Sequence, residues 1–380
     1  MKKNMVNGLV INFAIIIIIS TLLMTGCSDK KHNEPTAQNS SDISLDKRVM
    51  DVKFRQINLV SDISYPGARI DPNLSNAWGI AVNPTGIFWI SANHTGLSTV
   101  YDSSGGAKAI LVTIPTVSGG TIGAPSGIVY NYTSVFKLPN GNASRFIFVG
   151  EDGIVSAWGP SSGTIAAIVA DRSSQNAVYK GVEIAQNGSG YFLYAANFKQ
   201  SKVDVFDSNF NLVNSITFND PNIPIGFAPF NIKSINGMLF ITYAKQKGPD
   251  NMDDEKGPGN GYIDIFTPSG AFVSRFASRG KLNSPWGITE GPTGKLSNTI
   301  LAGNFGDGRI NVFSSSGQFM GQLRGKGERA LKIDGLWALF TSETIPAVGN
   351  KIYFTAGPND ENNGLFGYLL SKGVRGDDDD

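Results

Sequence analysis

A single cysteine, Cys27, and two histidines, His32 and His94, are all that 380 residues offer of the side chains most used for disulfides and transition metals. One cysteine excludes an internal disulfide framework and any site built from several thiolates, and two histidines exclude a multi-histidine metal centre. Charge is sparse as well: Asp, Glu, Lys and Arg make up 17% of the chain, and 32 basic against 31 acidic residues leave a formal net charge of +1. Without a basic excess there is no footprint for neutralising phosphates, so nucleic acid is not an expected partner. Glycine is abundant at 45 residues, beside 10% aromatics. This is the composition of a turn-rich folded chain whose length allows one large all-β domain.

The ends differ from the body. Lys2 and Lys3 precede an apolar run from Leu9 to Leu23, and Met24, Thr25 and Gly26 lead to Cys27. A basic start, a short hydrophobic stretch and a small residue before the cysteine form a signal peptide. The pattern resembles a bacterial lipobox, with Met24 where leucine is usual. Residues 1–26 are therefore expected to be a lipoprotein signal peptide, with lipidation of Cys27 holding the mature chain on a membrane at roughly 0.8 kcal/mol per buried CH₂. An uncleaved spanning helix is the alternative, but the run falls short of the roughly 20 residues a bilayer asks for. Residues 27–51 read as a polar, flexible tether, 52–372 as the folded body and 373–380 as an acidic tail. The location that follows is a cell envelope, on its periplasmic or outer side.

Within the body one phrase recurs six times: an aromatic closing a short β-rich run, then a Gly, Ser, Asp or Asn turn. Its aromatics are Tyr101, Trp158, Phe206, Phe266, Phe313 and Phe366, spaced by 57, 48, 60, 47 and 53 residues. A second phrase keeps step with the first, a small residue followed by an apolar one opening a strand, as in Trp-Gly-Ile at 78–80, Ser-Gly-Ile at 126–128, Lys-Gly-Val at 180–182, Phe-Asn-Ile at 230–232, Trp-Gly-Ile at 286–288 and Trp-Ala-Leu at 337–339. A further strand lies between the two phrases and another follows the aromatic turn, for instance at 109–114 and 212–218. Four short strands per period of about 50 residues predict a six-bladed β-propeller with four-stranded blades. The last period lacks its rim strand, while an unassigned strand at 52–60 precedes the first. That N-terminal strand is expected to close the last blade and so leave no unpaired edge at the seam.

A propeller gathers the turns between its second and third strands round one mouth, where the sequence places Asn93, His94, Glu151, Asp152, Asn197, Lys245, Asn304, Asn359 and Asp360. Trp78, Trp286 and Trp337 enter the innermost strands beside them. The functional reading is an amide-rich funnel with an aromatic rim, suited to a hydroxyl-rich small molecule or a hard cation. The competing reading is structural: Asn tolerates left-handed turns, and the tryptophans fill gaps between blades. Blade four carries a long insertion at 245–261 on the same face, with Asp250, Asp253, Asp254 and Glu255, read either as a solvated loop or as a lid. Gly159–Gly163 matches G-x-S-x-G but falls in a hairpin turn, not between a strand and a helix.

The stretches at 76–81 (Asn-Ala-Trp-Gly-Ile-Ala), 257–266, 335–339 and 355–367 (Thr-Ala-Gly-Pro-Asn-Asp-Glu-Asn-Asn-Gly-Leu-Phe-Gly) resemble a family of uncharacterised secreted bacterial propeller proteins. The resemblance runs from about residue 55 to 370 and implies no particular activity. More distantly the blades resemble NHL repeats and the regucalcin/gluconolactonase propellers. That likeness implies a divalent cation such as calcium held at Glu151, Asn197 and Asn304, although a second axial carboxylate is not evident outside Asp152 and Asp360. Two functions follow as expectations. One is a monomeric, membrane-anchored module binding a small ligand or an envelope protein on its funnel face, with no certain cofactor. The alternative is a cation-dependent lactonase or lyase.

Overall fold

The computed structural model describes residues 52–371, apart from 118, 119 and 121. Cys27 and the segments expected to be a signal peptide, a tether and an acidic tail lie outside the described residues. The chain opens with β1 (Phe54–Ser61) and the two-residue β2 (Arg69–Ile70). Blade one follows as β3 (Ala77–Val82), β4 (Phe88–Ala92), β5 (Leu97–Tyr101) and β6 (Val112–Thr113). Blade two is β7 (Pro125–Tyr130), β8 (Phe146–Gly150), β9 (Ile154–Trp158) and β10 (Ala167–Asp171). Blade three has β11 (Tyr179–Asn187), β12 (Gly190–Asn197) and β13 (Lys202–Phe206). Blade four has β14 (Phe227–Ile235), β15 (Met238–Lys245), β16 (Gly261–Phe266) and β17 (Phe272–Ser278). Blade five comprises β18 (Pro285–Glu290), β19 (Thr299–Asn304), β20 (Ile310–Ser314) and β21 (Phe319–Gln322), and blade six β22 (Leu336–Phe340), β23 (Ile352–Ala356) and β24 (Leu365–Ser371).

Blades one to five are antiparallel sheets in sequence order, the sixth sheet runs β22-β23-β24-β1 antiparallel with β2 added parallel to β1, and the innermost strands β3, β7, β11, β14, β18 and β22 each touch the next, with β22 returning to β3. This is the expected six-bladed β-propeller. The seam closes as the sequence predicts: β1 pairs antiparallel with β24, from Phe54 opposite Ser371 to Ser61 opposite Leu365. Chain ends more than 300 residues apart are thereby joined by backbone pairing, which consumes the edge that β24 would otherwise expose.

Two expectations need correction. The strand predicted at 212–218 is not formed. Blade three has three strands, and only an isolated bridge between Phe206 and Leu212 marks the place of the fourth. Asn214 and Ser215 turn there, and the apolar residues Val213, Ile216 and Phe218 pack under blade four without a ladder. The sixth aromatic is also out of register. Tyr101, Trp158, Phe206, Phe266 and Phe313 lie opposite Phe88, Phe146, Leu193, Leu239 and Ile300, whereas the matching partner of Ile352 is Leu369, three residues beyond Phe366.

The core is a ring of wedges. Strand alternation sends successive side chains to opposite faces, so Phe146 and Phe148 of β8 pack toward blade one, while Ile147 and Val149 pack toward blade three. Six such clusters lie one between each pair of neighbouring blades, with β1 contributing to those beside blade six. At roughly 1.5–3 kcal/mol for each large apolar side chain buried, these wedges hold the ring together.

Candidate functional site

The axis is shaped by a defect repeated in every blade. The pairing of each innermost strand with its neighbour slips near its start: between Ala77 and Ile80, Pro125 and Ile128, Tyr179 and Val182, Pro229 and Asn231, Pro285 and Gly287, and Leu336 and Leu339. A bulge re-aims the unpaired side chain, and here it supplies one residue per blade at one level: Trp78, Ser126, Lys180, Phe230, Trp286 and Trp337. In five blades a small residue, Gly79, Gly127, Gly181, Gly287 or Ala338, follows and lets adjacent inner strands approach. A Cβ on Gly127 would meet Val182 N of blade three at 2.9 Å, and one on Gly287 would meet Trp337 O of blade six at 2.7 Å.

Trp78, Trp286 and Trp337 are buried, at 1%, 4% and 1% relative exposure, so they are not a rim but a plug. Trp337 is sandwiched, stacked on Trp78 at 3.7 Å and on Phe305 at 3.7 Å, with Trp286 edge-on to both tryptophans at 6.1–6.5 Å. Phe198 and Phe230 complete the apolar cluster. Behind the plug the far ends of the inner strands line an open cavity of about 340 Å³, whose only charged lining residues are Glu183 and Lys233, an ion pair at 2.9 Å.

Lys180 is the exception at the bulge level. Its side chain is 2% exposed, and its ammonium lies 5.0 Å from the Trp78 ring centre and 5.9 Å from that of Phe198. It donates to Glu151 of the β8–β9 turn and, at 3.2 Å, to Asp253 of the blade-four insertion. Burial alone would push the lysine pKa down, but Glu151, Asp253 and Asp254 around it raise it above the ordinary value, so the group is a fixed cation. Asn93 donates to the other oxygen of Glu151 at 3.0 Å. From blade six comes Glu361, in a turn where Asn359, Asp360 and Glu361 all take left-handed φ angles of 58°, 48° and 67°. At roughly 1–2 kcal/mol per residue this is a costly backbone, and it turns the Glu361 carboxylate inward to accept from Asn76 at 3.1 Å. Asn76 in turn accepts from the Trp337 indole at 2.9 Å and lies 3.4 Å from His94. Burial raises the pKa of Glu361, with Lys180 opposing and Glu151 reinforcing the shift; burial likewise raises Asp254.

Of the residues expected at the mouth, the structure brings Asn93, His94 and Glu151 into this network. Asn197 and Asn304 are buried and serve their own blades. Asn197 bonds Asp204 at 2.8 Å and Gln200 at 3.1 Å and accepts from Val178 N; Asn304 bonds Asp307 at 3.0 Å and Lys281 O at 2.8 Å and accepts from Asn283 N. Asparagine recurs in these two blades because its amide ties the end of the second strand to the turn, so the Asn197 and Asn304 side chains are engaged within blades three and five, while Glu151 is engaged by Lys180 and Asn93. No group of three or more His, Cys, Asp or Glu side chains spaced to hold a metal occurs among the described residues. Asp152 is half-buried and accepts from Ile154 N at 3.3 Å, burial raising its pKa. Lys245 pairs with Glu255 at 2.8 Å, and Asn359 and Asp360 are exposed. Lys180 and Glu361 are not among the residues that the sequence places at the mouth. The signal for the first was present, a lysine where the other five blades carry Trp, Ser, Phe, Trp and Trp.

No family model matches the chain. It is 34% identical over 328 residues to "Uncharacterized protein R648" of Acanthamoeba polyphaga mimivirus, covering 83% of this chain and 80% of that protein. It is 33% identical to "Uncharacterized protein L690" of the same virus, covering 83% and 85%. Among solved structures, an alpha-L-arabinofuranosidase of Fusarium graminearum in complex with an iminosugar inhibitor aligns with a TM-score of 0.53 at 11% identity over 83% of this chain and 97% of that one. Virginiamycin B lyase of Staphylococcus aureus aligns at 0.51 and 12% over 84% and 100%. These distant likenesses show the propeller fold alone. The relatives are viral where the sequence resemblance pointed to bacteria. The chain belongs to the propeller family that contains mimivirus proteins R648 and L690.

Proposed function

We propose that the chain is a non-catalytic binding module that takes a small polar organic molecule at the mouth of its axial funnel and is held on a membrane of a cell envelope through a lipid on Cys27. The observation that carries the reading is the convergence of carboxylates from blades two, four and six on the sealed ammonium of Lys180, above an aromatic plug that closes the channel behind it. Ligand sites join convergent polar groups to an apolar wall in this way. A protonated lysine locked to Glu151 supports binding over catalysis, because it is neither a free base nor a nucleophile. The lactonase or lyase alternative asks for oxygen donors round a common ion, and the amides of Asn197 and Asn304 are engaged elsewhere.

The test is thermal unfolding of the wild-type chain and of Glu151→Gln against sugars, polyols, organic acids, amines and the chlorides of calcium, magnesium, manganese and zinc. The reading expects an organic compound to raise the wild-type Tm and to lose that effect in the variant. A rise produced by a metal chloride alone, and abolished by Glu151→Gln, contradicts it. The anchor is tested separately by labelling expressing cells with radioactive palmitate, where Cys27→Ser is expected to remove all label from the chain.

A further inference from the structure

The three stacked rings Phe305, Trp337 and Trp78 form a column with an ammonium at each end. Because Trp337 has a neighbour at 3.7 Å on both faces, Phe305 and Trp78 each turn one face away from it. Lys180 lies 5.0 Å from the centre of Trp78, and Lys256 lies 4.3 Å from the centre of Phe305. The two lysines differ in kind. Lys180 belongs to the inner strand of blade three and is sealed, whereas Lys256 is exposed and comes from the blade-four insertion.

Charge at the outer end is out of balance. Asp254 and Glu361 both feel Lys180 and Lys256, and Lys180 also faces Glu151 and Asp253, which makes four carboxylates to two ammonium groups. One oxygen of Asp254, Oδ2, is buried without a hydrogen-bond partner. Removing the Lys256 side chain would leave an aromatic face beside carboxylates that outnumber cations four to one. Such a face attracts ammonium groups through the ring quadrupole, at about 0.5–2 kcal/mol according to how far the cation is desolvated. The loop need not move for an exchange. Its backbone is held on both sides of Lys256, by Glu255 N donating to Lys245 O at 2.7 Å and by Gly257 N donating to Asn283 Oδ1 at 2.7 Å, so only a long, exposed side chain has to swing away.

We infer that the ligand of the mouth is an organic cation, a small molecule bearing an amine or quaternary ammonium group, and that the Lys256 ammonium on Phe305 is a tethered stand-in which that group displaces. The inference rests on the reading of the mouth as a ligand site and narrows it to one chemical class. Phe305 supplies the seat, Asp254 and Glu361 the countercharge, and Lys180 a fixed floor charge that keeps a second cation out of the inner end.

The full chain and Lys256→Ala are titrated with choline chloride, with its neutral isostere 3,3-dimethyl-1-butanol and with glucose, following the fluorescence of the buried tryptophans. The Tm of Lys256→Ala is measured alongside, so that loss of the contact with Phe305 is read separately from binding. The expected result is saturable choline binding at least tenfold tighter in Lys256→Ala than in the wild type, at least tenfold preference for choline over the isostere, and loss of the gain when Phe305→Leu is added. Equal affinity for choline and the isostere, or a choline affinity unchanged by Lys256→Ala, overturns the inference. Binding of glucose without choline overturns it while leaving the mouth a ligand site. Silence from all three probes in both proteins counts against the cation and against the mouth together.

Discussion

Lys180 and Trp78 occupy matching bulge positions in blades three and one, and the ammonium of the first lies 5.0 Å from the ring centre of the second. Blades that are not neighbours in the ring meet only at its axis, so this pair marks the point where the repeat stops being uniform. Five positions carry Ser or an aromatic and pack; the sixth carries a charge and must be compensated, which Glu151 and Asp253 do.

Gly287, the residue after the bulge in blade five, lets that blade approach blade six. Gly287→Ala would place a methyl 2.7 Å from Trp337 O and 2.9 Å from Leu339 N, both backbone atoms of the next blade. Overpacking of this kind costs about 1–3 kcal/mol. Urea unfolding is expected to show that loss; an unchanged midpoint would mean that the inner strands are not held at this spacing.

Asn197 is expected to matter for stability and not for ligand or metal. Asn197→Ala removes the bonds to Asp204, Gln200 and Val178 N inside blade three, at a cost of about 1–3 kcal/mol for the polar groups left behind. Thermal unfolding with and without calcium checks this. A wild-type calcium shift that vanishes in the variant would return Asn197 to the role of a ligand.

Glu361 gives stability a pH dependence of known sign. Its native pKa is raised above the ordinary 4.5 by burial, with Lys180 opposing. Between 4.5 and the raised value the folded chain holds a proton that the unfolded chain has released, so its contribution to stability falls as pH rises and is flat on either side of that window. Glu361→Gln lacks this decline. Unfolding free energies measured from pH 4 to 8 are therefore expected to move in favour of the variant as pH rises, and parallel curves would contradict the assignment.

The architecture was legible because strand alternation and turn chemistry are local. Trp158 and its turn, Gly-Ile after Trp286, and the spare strand at 52–60 each announce their place in a blade. The site was less legible for three physical reasons. Asn197 and Asn304 bond within their own blades, a structural use that the recurrence of asparagine in the sequence does not distinguish from a functional one. The tryptophans share a phrase with Lys180, and only the bulge tells that their side chains meet at the axis rather than lining a rim. The inward acid of blade six is Glu361 and not Asp360, because three consecutive left-handed residues rotate the turn in a way that alternation does not foretell. The missing rim strand of blade three failed for a related reason: apolar content at 212–218 was enough to pack but not to pair.

The central claim is that turns from separate blades converge on one buried lysine, and a double-mutant cycle on Lys180→Met and Glu151→Gln tests it most directly. If the two side chains form the partly buried ion pair described here, Lys180→Met leaves Glu151 without its cation and Glu151→Gln removes one of the carboxylates that hold Lys180, and the double variant is expected to recover more than about 1 kcal/mol relative to the sum of the singles. Unfolding free energies that add to within about 0.5 kcal/mol would show that the two residues do not meet.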